Sequence, residues 1–228
     1  MKQIAAEKQA AVGELAARGP HVVFGGSFNP VHDGHLAVAR AVRALLGTTV
    51  HFLPAGNPVH RDDPQASGLH RLAMLQIAIA HERGFAIDTR ELARDGPSWT
   101  IDTIEELRSE LPAGTPIVLV LGMDSLRQFT HWRRWQDILA QAHLVACTRP
   151  GQGMPTAREL GELATHLAGD PEALRNSPGG RILIEATTAA NMASTAIRAA
   201  FAAGQHPAGV NAAVRDYIEH HALYRPQP

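Results

Sequence analysis

The chain has 228 residues, with 21 Lys+Arg against 22 Asp+Glu and a formal net charge of −1. That length builds one sizeable core and excludes two ordinary enzyme domains joined by a linker; the balanced charge excludes a protein that coats nucleic acid through a broad basic field. Hydrophobic residues make up 45% of the chain, yet no apolar run approaches the roughly 20 residues that cross a bilayer.

Residues 1–18 read as an alanine-rich helical arm that mixes acids and bases and has no apolar leader core, so a soluble, cytoplasmic protein with neither a nucleic-acid nor a membrane partner is expected. From there short apolar runs alternate with helical stretches. Strands are expected at 21–24 (HVVF), 49–53 (TVHFL), 85–89 (FAIDT), 116–121 (PIVLVL), 143–148 (HLVACT) and 181–185 (RILIE). Helices are expected over His35–Leu46 ending at Gly47, over Leu69–Glu82, over Thr100–Leu111 stopping at Pro112, and over Val210–Leu223. The last places Val210, Val214, Tyr217, Ile218 and His221 on one core-facing side. The pattern is that of an α/β fold, a doubly wound parallel sheet with helices on both faces, in one domain over 19–228. Two stretches rich in proline and glycine, 54–68 and 149–180, read as irregular; such loops gather where an open parallel sheet binds its ligand. The single cysteine, Cys147, excludes an internal disulfide and a multi-cysteine metal site, and its apolar strand predicts a buried, inert thiol.

The strongest chemical signal follows the first strand: Gly25-Gly26-Ser27-Phe28-Asn29-Pro30-Val31-His32-Asp33-Gly34-His35, then a helix. Two glycines after a strand let backbone approach a ligand closely, and the helix offers free N–H groups to an anion. The spacing is neither the G-x-G-x-x-G dinucleotide fingerprint nor a P-loop. His32 and His35, three residues apart, put their rings on one side of the first turn. A metal pair lacks a third ligand at matching spacing, and a plain turn with surface histidines is the bland alternative. A pair of imidazoles donating to phosphate oxygens accounts for more, because such bonds gain most as charge builds in a transition state.

This block resembles the signature of the nucleotidylyltransferase superfamily, in which an [H/T]-x-G-H element binds the phosphates of ATP. The resemblance implies a Rossmann-like sheet, with Gly25, Gly26, Ser27, Phe28, Asn29 and Gly34 around ATP, His35 on the α-phosphate and His32 on neighbouring oxygens. A late block, Asn191-Met192-Ala193-Ser194-Thr195-Ala196-Ile197-Arg198, resembles the superfamily's I-S-S-T-x-I-R, with Ala193 replacing the first serine. Ser194 and Thr195 are favoured helix N-cap residues and Arg198 lies one turn on, so hydroxyls, N–H groups and a guanidinium can converge on the leaving pyrophosphate.

Three middle segments resemble the bacterial nicotinate-nucleotide adenylyltransferases specifically: Pro97-Ser98-Trp99-Thr100-Ile101-Asp102-Thr103, with Trp99 for the usual tyrosine; Gly122-Met123-Asp124-Ser125-Leu126 followed by Trp132-Arg133-Arg134-Trp135; and Val214 through Tyr224. That family implies Thr100 and its backbone at the nicotinate carboxylate, Trp132 stacked on the pyridine, and Asp124 facing the ribose, where a helix N-cap is its compatible structural role. Arg61, in Pro58-Val59-His60-Arg61, stands where the family often has lysine and is assigned to ATP. The implied substrates are ATP and nicotinate mononucleotide, with Mg²⁺ carried through ATP oxygens and water rather than a dedicated carboxylate cage. A sibling enzyme using nicotinamide mononucleotide, and a non-catalytic nucleotide sensor on the same fold, are the alternatives; a homo-oligomer stays open.

Overall fold

The computed structural model describes residues 19–56, 66–148, 151, 153–187 and 192–225. The expected arm at 1–18, and Arg61 with its loop, lie outside the described residues.

In chain order the elements are β1 (His21–Gly26), α1 (Asp33–Leu46), β2 (Val50–Pro54), α2 (Gly68–Ile79), β3 (Phe85–Ile87), α3 (Arg90–Ala93), α4 (Thr100–Glu110), β4 (Ile117–Gly122), α5 (Met123–Arg127), α6 (Trp135–Gln141), β5 (His143–Thr148), α7 (Ala157–Leu160), β6 (Ile182–Ala186), α8 (Ser194–Ala202) and α9 (Ala212–His220). The six strands pair in the order β3-β2-β1-β4-β5-β6, and every pairing is parallel. This is the doubly wound order expected from the alternation of short strands and helices.

Parallel strands covered on both faces are apolar on both, and β1 shows it. Val22 and Phe24 enter one core with Val118 and Val120 of β4, Val145 and Cys147 of β5, and the inner faces of α1, α2, α8 and α9. Val23 enters the other with Leu119, Leu121, Leu144 and the inner residues of α4 and α6. Order reverses between β1 and β4: later strands add on one side and earlier ones on the other. A crevice at the carboxyl ends of β1 and β4 follows, the place where such sheets bind ligands.

Helix ends obey local chemistry. Gly47 closes α1 in the left-handed region at φ 68°. In α9, Val214 and Ile218 are buried as expected, but the helix ends at His220; His221 is its C-cap and lies exposed. The 149–180 stretch, expected as irregular, contains α7 and two 3₁₀ turns, Gly161–His166 and Pro171–Leu174. Cys147 is buried in β5, and burial pushes its thiol up to about 12, so it carries no thiolate at neutral pH.

Candidate active site

Gly25 and Gly26 end β1 opposite Leu53 and Pro54 of β2. Gly26 is demanded by packing, since a Cβ there would lie 2.9 Å from Cζ of the Phe28 ring. Gly25 is different: the nearest atom to its Cβ would be Leu119 Cδ1 at 4.0 Å, so what its missing side chain leaves open is space over β4. Phe28 turns the chain at φ 47° and buries its ring completely against Phe24, Phe52 and His35. Only its backbone is left to face a ligand.

His32 precedes α1 and His35 occupies its third position. Their rings stack with centroids 3.8 Å apart and planes 27° from parallel, as the three-residue spacing implied. The His32 backbone N–H donates to Nδ1 of His35 at 3.3 Å. An imidazole whose Nδ1 accepts a bond keeps its proton on Nε2, and so presents an N–H donor at the far side of the ring. Phe28, edge-on 5.0 Å from the His35 ring, holds that orientation.

The rest of the loop is fixed by its carbonyls. Arg71 of α2 donates to Ser27 O at 2.9 Å, Arg198 of α8 to Asn29 O at 2.8 Å, and the Ser194 hydroxyl to Pro30 O at 3.3 Å. The Asp33 N–H donates to Gly209 O at 2.8 Å, and the Tyr224 hydroxyl donates to the Asn29 side chain. Asn29 is therefore a buried support of the loop. The late block reaches the same place as the first, but its cap differs from expectation: Ala193 holds the extended N-cap position of α8, with Ser194 as the first helical residue. The Ser194 hydroxyl goes to Pro30 rather than to its own helix, and Arg198 also donates to the Thr195 hydroxyl at 3.3 Å. Ser194, Thr195 and Arg198 thus stand beside the histidine loop.

On the other face of the sheet, Trp99 is the N-cap of α4 and Thr100 its first residue. Arg133 lays its guanidinium 5.2 Å from the centroid of the Trp99 ring. Next to it Trp132, half-buried, packs on Phe129 at 5.4 Å, and Trp99 and Trp132 both lean on the same core cluster. Asp124 is exposed in the first turn of α5 just past β4; Gly122, not Asp124, holds the N-cap, and Arg127 lies 3.6 Å from the Asp124 carboxylate. Among the described residues no three His, Cys, Asp or Glu side chains stand together so as to hold a metal ion.

Residues 23–200 match the family model described as cytidylyltransferase-like. A curated protein of Aeromonas hydrophila named "Probable nicotinate-nucleotide adenylyltransferase" is 43% identical over 210 residues, covering 91% of this chain and 98% of that protein. The chain belongs to the nicotinate-nucleotide adenylyltransferase family. A protein of the same name from Stenotrophomonas maltophilia is 41% identical over 90% of this chain and 96% of its own. Among solved structures, a Plasmodium falciparum nicotinic acid mononucleotide adenylyltransferase, described as complexed with APC, superposes with a TM-score of 0.67 at 16% identity, covering 90% of this chain and 97% of that one. A second structure of that enzyme is described as complexed with NaAD and has the same TM-score. At that identity the likeness speaks for the fold alone. As a member of this family the chain is a nucleotidyltransferase.

Two buried residues that support this candidate site carry no signal in the sequence. Arg71 sits inside an apolar helical run with no motif around it, yet it is 2% exposed. Glu91 of α3 is buried as well, accepting from the Thr103 hydroxyl at 2.8 Å; burial raises its carboxyl above the usual range, against the lowering pull of Thr103 and Arg94. It packs under the turn after β2, where a Cβ on Gly56 would lie 2.0 Å from Glu91 O.

Proposed function

We propose that this chain transfers the adenylyl group of ATP to nicotinate mononucleotide, giving nicotinate adenine dinucleotide and pyrophosphate, in the cytoplasm and within a catalytic domain spanning 19–228. The observation that carries this reading is the stacked His32–His35 pair just past β1, with Nδ1 of His35 accepting from backbone, which fixes the ring proton on Nε2.

The nucleophile needs no general base, because a phosphate monoester with a second pKa of about 6 is already largely dianionic at neutral pH. One of its oxygens bonds to the α-phosphorus of ATP; the bond from that phosphorus to the bridging oxygen breaks, and the electron pair leaves on pyrophosphate. The protein's task is to hold two polyanions in line and to meet the charge that moves toward the leaving group. In this reading His35 Nε2–H donates to the α-phosphate and His32 to neighbouring oxygens. Gly25 and Gly26 with the Ser27–Asn29 backbone bring the loop close, and Gly34 lets the first turn of α1 approach. The N-terminus of α8, with Ser194, Thr195 and the N–H groups that Arg198 does not spend on Asn29 and Thr195, receives the pyrophosphate. Thr100 at the start of α4 takes the nicotinate carboxylate, Trp132 stacks on the pyridine, Asp124 faces the ribose, and Arg61 meets ATP phosphate. ATP enters as its Mg²⁺ complex, the ion being part of the substrate.

Pyrophosphate release from MgATP is measured with nicotinate mononucleotide, with nicotinamide mononucleotide, and with neither. Turnover confined to the nicotinate nucleotide is expected. Equal turnover with the amide would assign the chain to the sibling activity, and nucleotide binding without turnover would make it a sensor. His35→Ala should lose single-turnover rate at saturating ATP far more than ATP affinity; a normal chemical rate would remove His35 from its role.

A further inference from the structure

Arg71 is a buried guanidinium that reaches two loops. Its side chain donates to Ser27 O at 2.9 Å, to Ala55 O at 2.7 Å and to Gly56 O at 3.4 Å, while its Nε is buried with no hydrogen-bond partner among the described residues. No carboxylate among the described residues pairs with it, and burial depresses its pKa from the usual arginine value. A guanidinium in such a place is costly where leucine or methionine would fill the same helix face. What arginine supplies, and those residues cannot, is a planar fork reaching several carbonyls at once.

The oxygens it reaches belong to two different loops. Ser27 follows β1, and Ala55 and Gly56 follow β2. Across a planar trans peptide the carbonyl and the next N–H point in opposite directions, so drawing Ser27 O down to Arg71 turns the Phe28 N–H away from the core. The same peptide leads into Phe28 at φ 47°, a conformation that costs an aromatic residue energy and holds only if its surroundings fix it.

We propose that Arg71 is a positioning residue for adenylyl transfer, fixing the Ser27–Phe28 peptide toward the phosphate chain of ATP and tying that loop to the turn after β2. This rests on the reading that the loop after β1 cradles the phosphates. Arg71 touches neither substrate; it acts through the backbone of Ser27.

The test compares Arg71→Ala, Arg71→Lys and Leu75→Ala in the full chain, by kcat, by KM for each substrate and by thermal midpoint. Leu75 is buried on the same helix and makes a control for lost stability. Arg71→Ala should lower kcat about 100-fold, the scale of a misplaced reacting group, and raise KM for ATP while leaving KM for nicotinate mononucleotide nearly unchanged. Arg71→Lys, which keeps the charge but not the fork, should show the same split in milder form and carries the comparison if the alanine variant does not fold. Low, non-denaturing guanidinium should restore part of the Arg71→Ala turnover and none to Leu75→Ala. Arg71 variants that lose no more kcat than Leu75→Ala at equal thermal midpoint, or that weaken both substrates alike, would overturn the proposal. If His35→Ala is also silent, the reading of the loop falls with it; if His35→Ala abolishes turnover while the Arg71 variants do not, only the role of Arg71 falls.

Discussion

The hydroxyl of Tyr224 donates to Oδ1 of Asn29 at 2.6 Å, across 195 residues of chain. Both residues are buried, and burial raises the Tyr224 phenol above its ordinary pKa, so it remains a donor throughout the working pH range. Tyr224→Phe keeps the ring against Phe201 but leaves the Asn29 oxygen without that donor. A loss of about 1–3 kcal/mol is expected from an unsatisfied buried acceptor, read as a lower denaturant midpoint at unchanged slope. Turnover should fall too, because the backbone oxygen of Asn29 is what Arg198 grips. Unchanged stability and rate would show that the loop stands without the C-terminal segment.

The two glycines of the first loop should respond oppositely. Gly26→Ala drives a methyl into the Phe28 ring and should destabilise by about 1–3 kcal/mol, the usual range for overpacking. Gly25→Ala meets only Leu119 Cδ1 at 4.0 Å, so its thermal midpoint should match the parent while the KM for substrate rises sharply. Parent-like KM values in a stable Gly25→Ala would mean that no ligand approaches that backbone.

Trp132 is half-buried, which fits packing and stacking alike. Trp132→Ala should raise KM for nicotinate mononucleotide and leave KM for ATP nearly unaltered. Equal effects on both would make it a packing residue only.

The acid limb of stability should bear the mark of His21. Its ring stacks on His51 at 4.4 Å, with Asp88, Arg90 and Glu110 nearby, and burial first, then His51, lowers its pKa from 6.5 to about 4. A histidine depressed in the fold binds its proton less readily than in the unfolded chain, so its neutral form's stability is fully present above pH 6.5 and is lost as pH falls from 6.5 toward 4. His143, also lowered by burial, acts in the same direction. His21→Gln should flatten the denaturant midpoint across that window; an unchanged slope would mean the proton is taken up elsewhere.

The sheet was legible because parallel strands buried on both faces leave runs such as Ile117–Leu121 that no helix period explains, and their observed limits fall within one or two residues of the expected runs. The histidine loop was legible because its chemistry lies within one short block. Arg71 and Tyr224 were not, because their acceptors lie far off in the chain, a backbone oxygen for one and the side chain of Asn29 for the other, and neither pairing leaves a mark in the sequence. The cap of α8 was misplaced because Ser194 spends its hydroxyl on Pro30, a tertiary contact that outweighs its local preference. The Thr156 and Glu159 pair, a capping box opening α7, was masked by the prolines and glycines around it.

The bonds that shape the first loop set an order on its making. Asn29 and Pro30 leave the ribosome 164 to 195 residues ahead of the donors that hold them, Ser194, Arg198 and Tyr224, which belong to a later part of the chain. Until that part has emerged and docked, a nascent chain has only Arg71 of these four donors to grip the loop. The loop therefore takes its final grip only after the stretch carrying Ser194, Arg198 and Tyr224 has docked onto it.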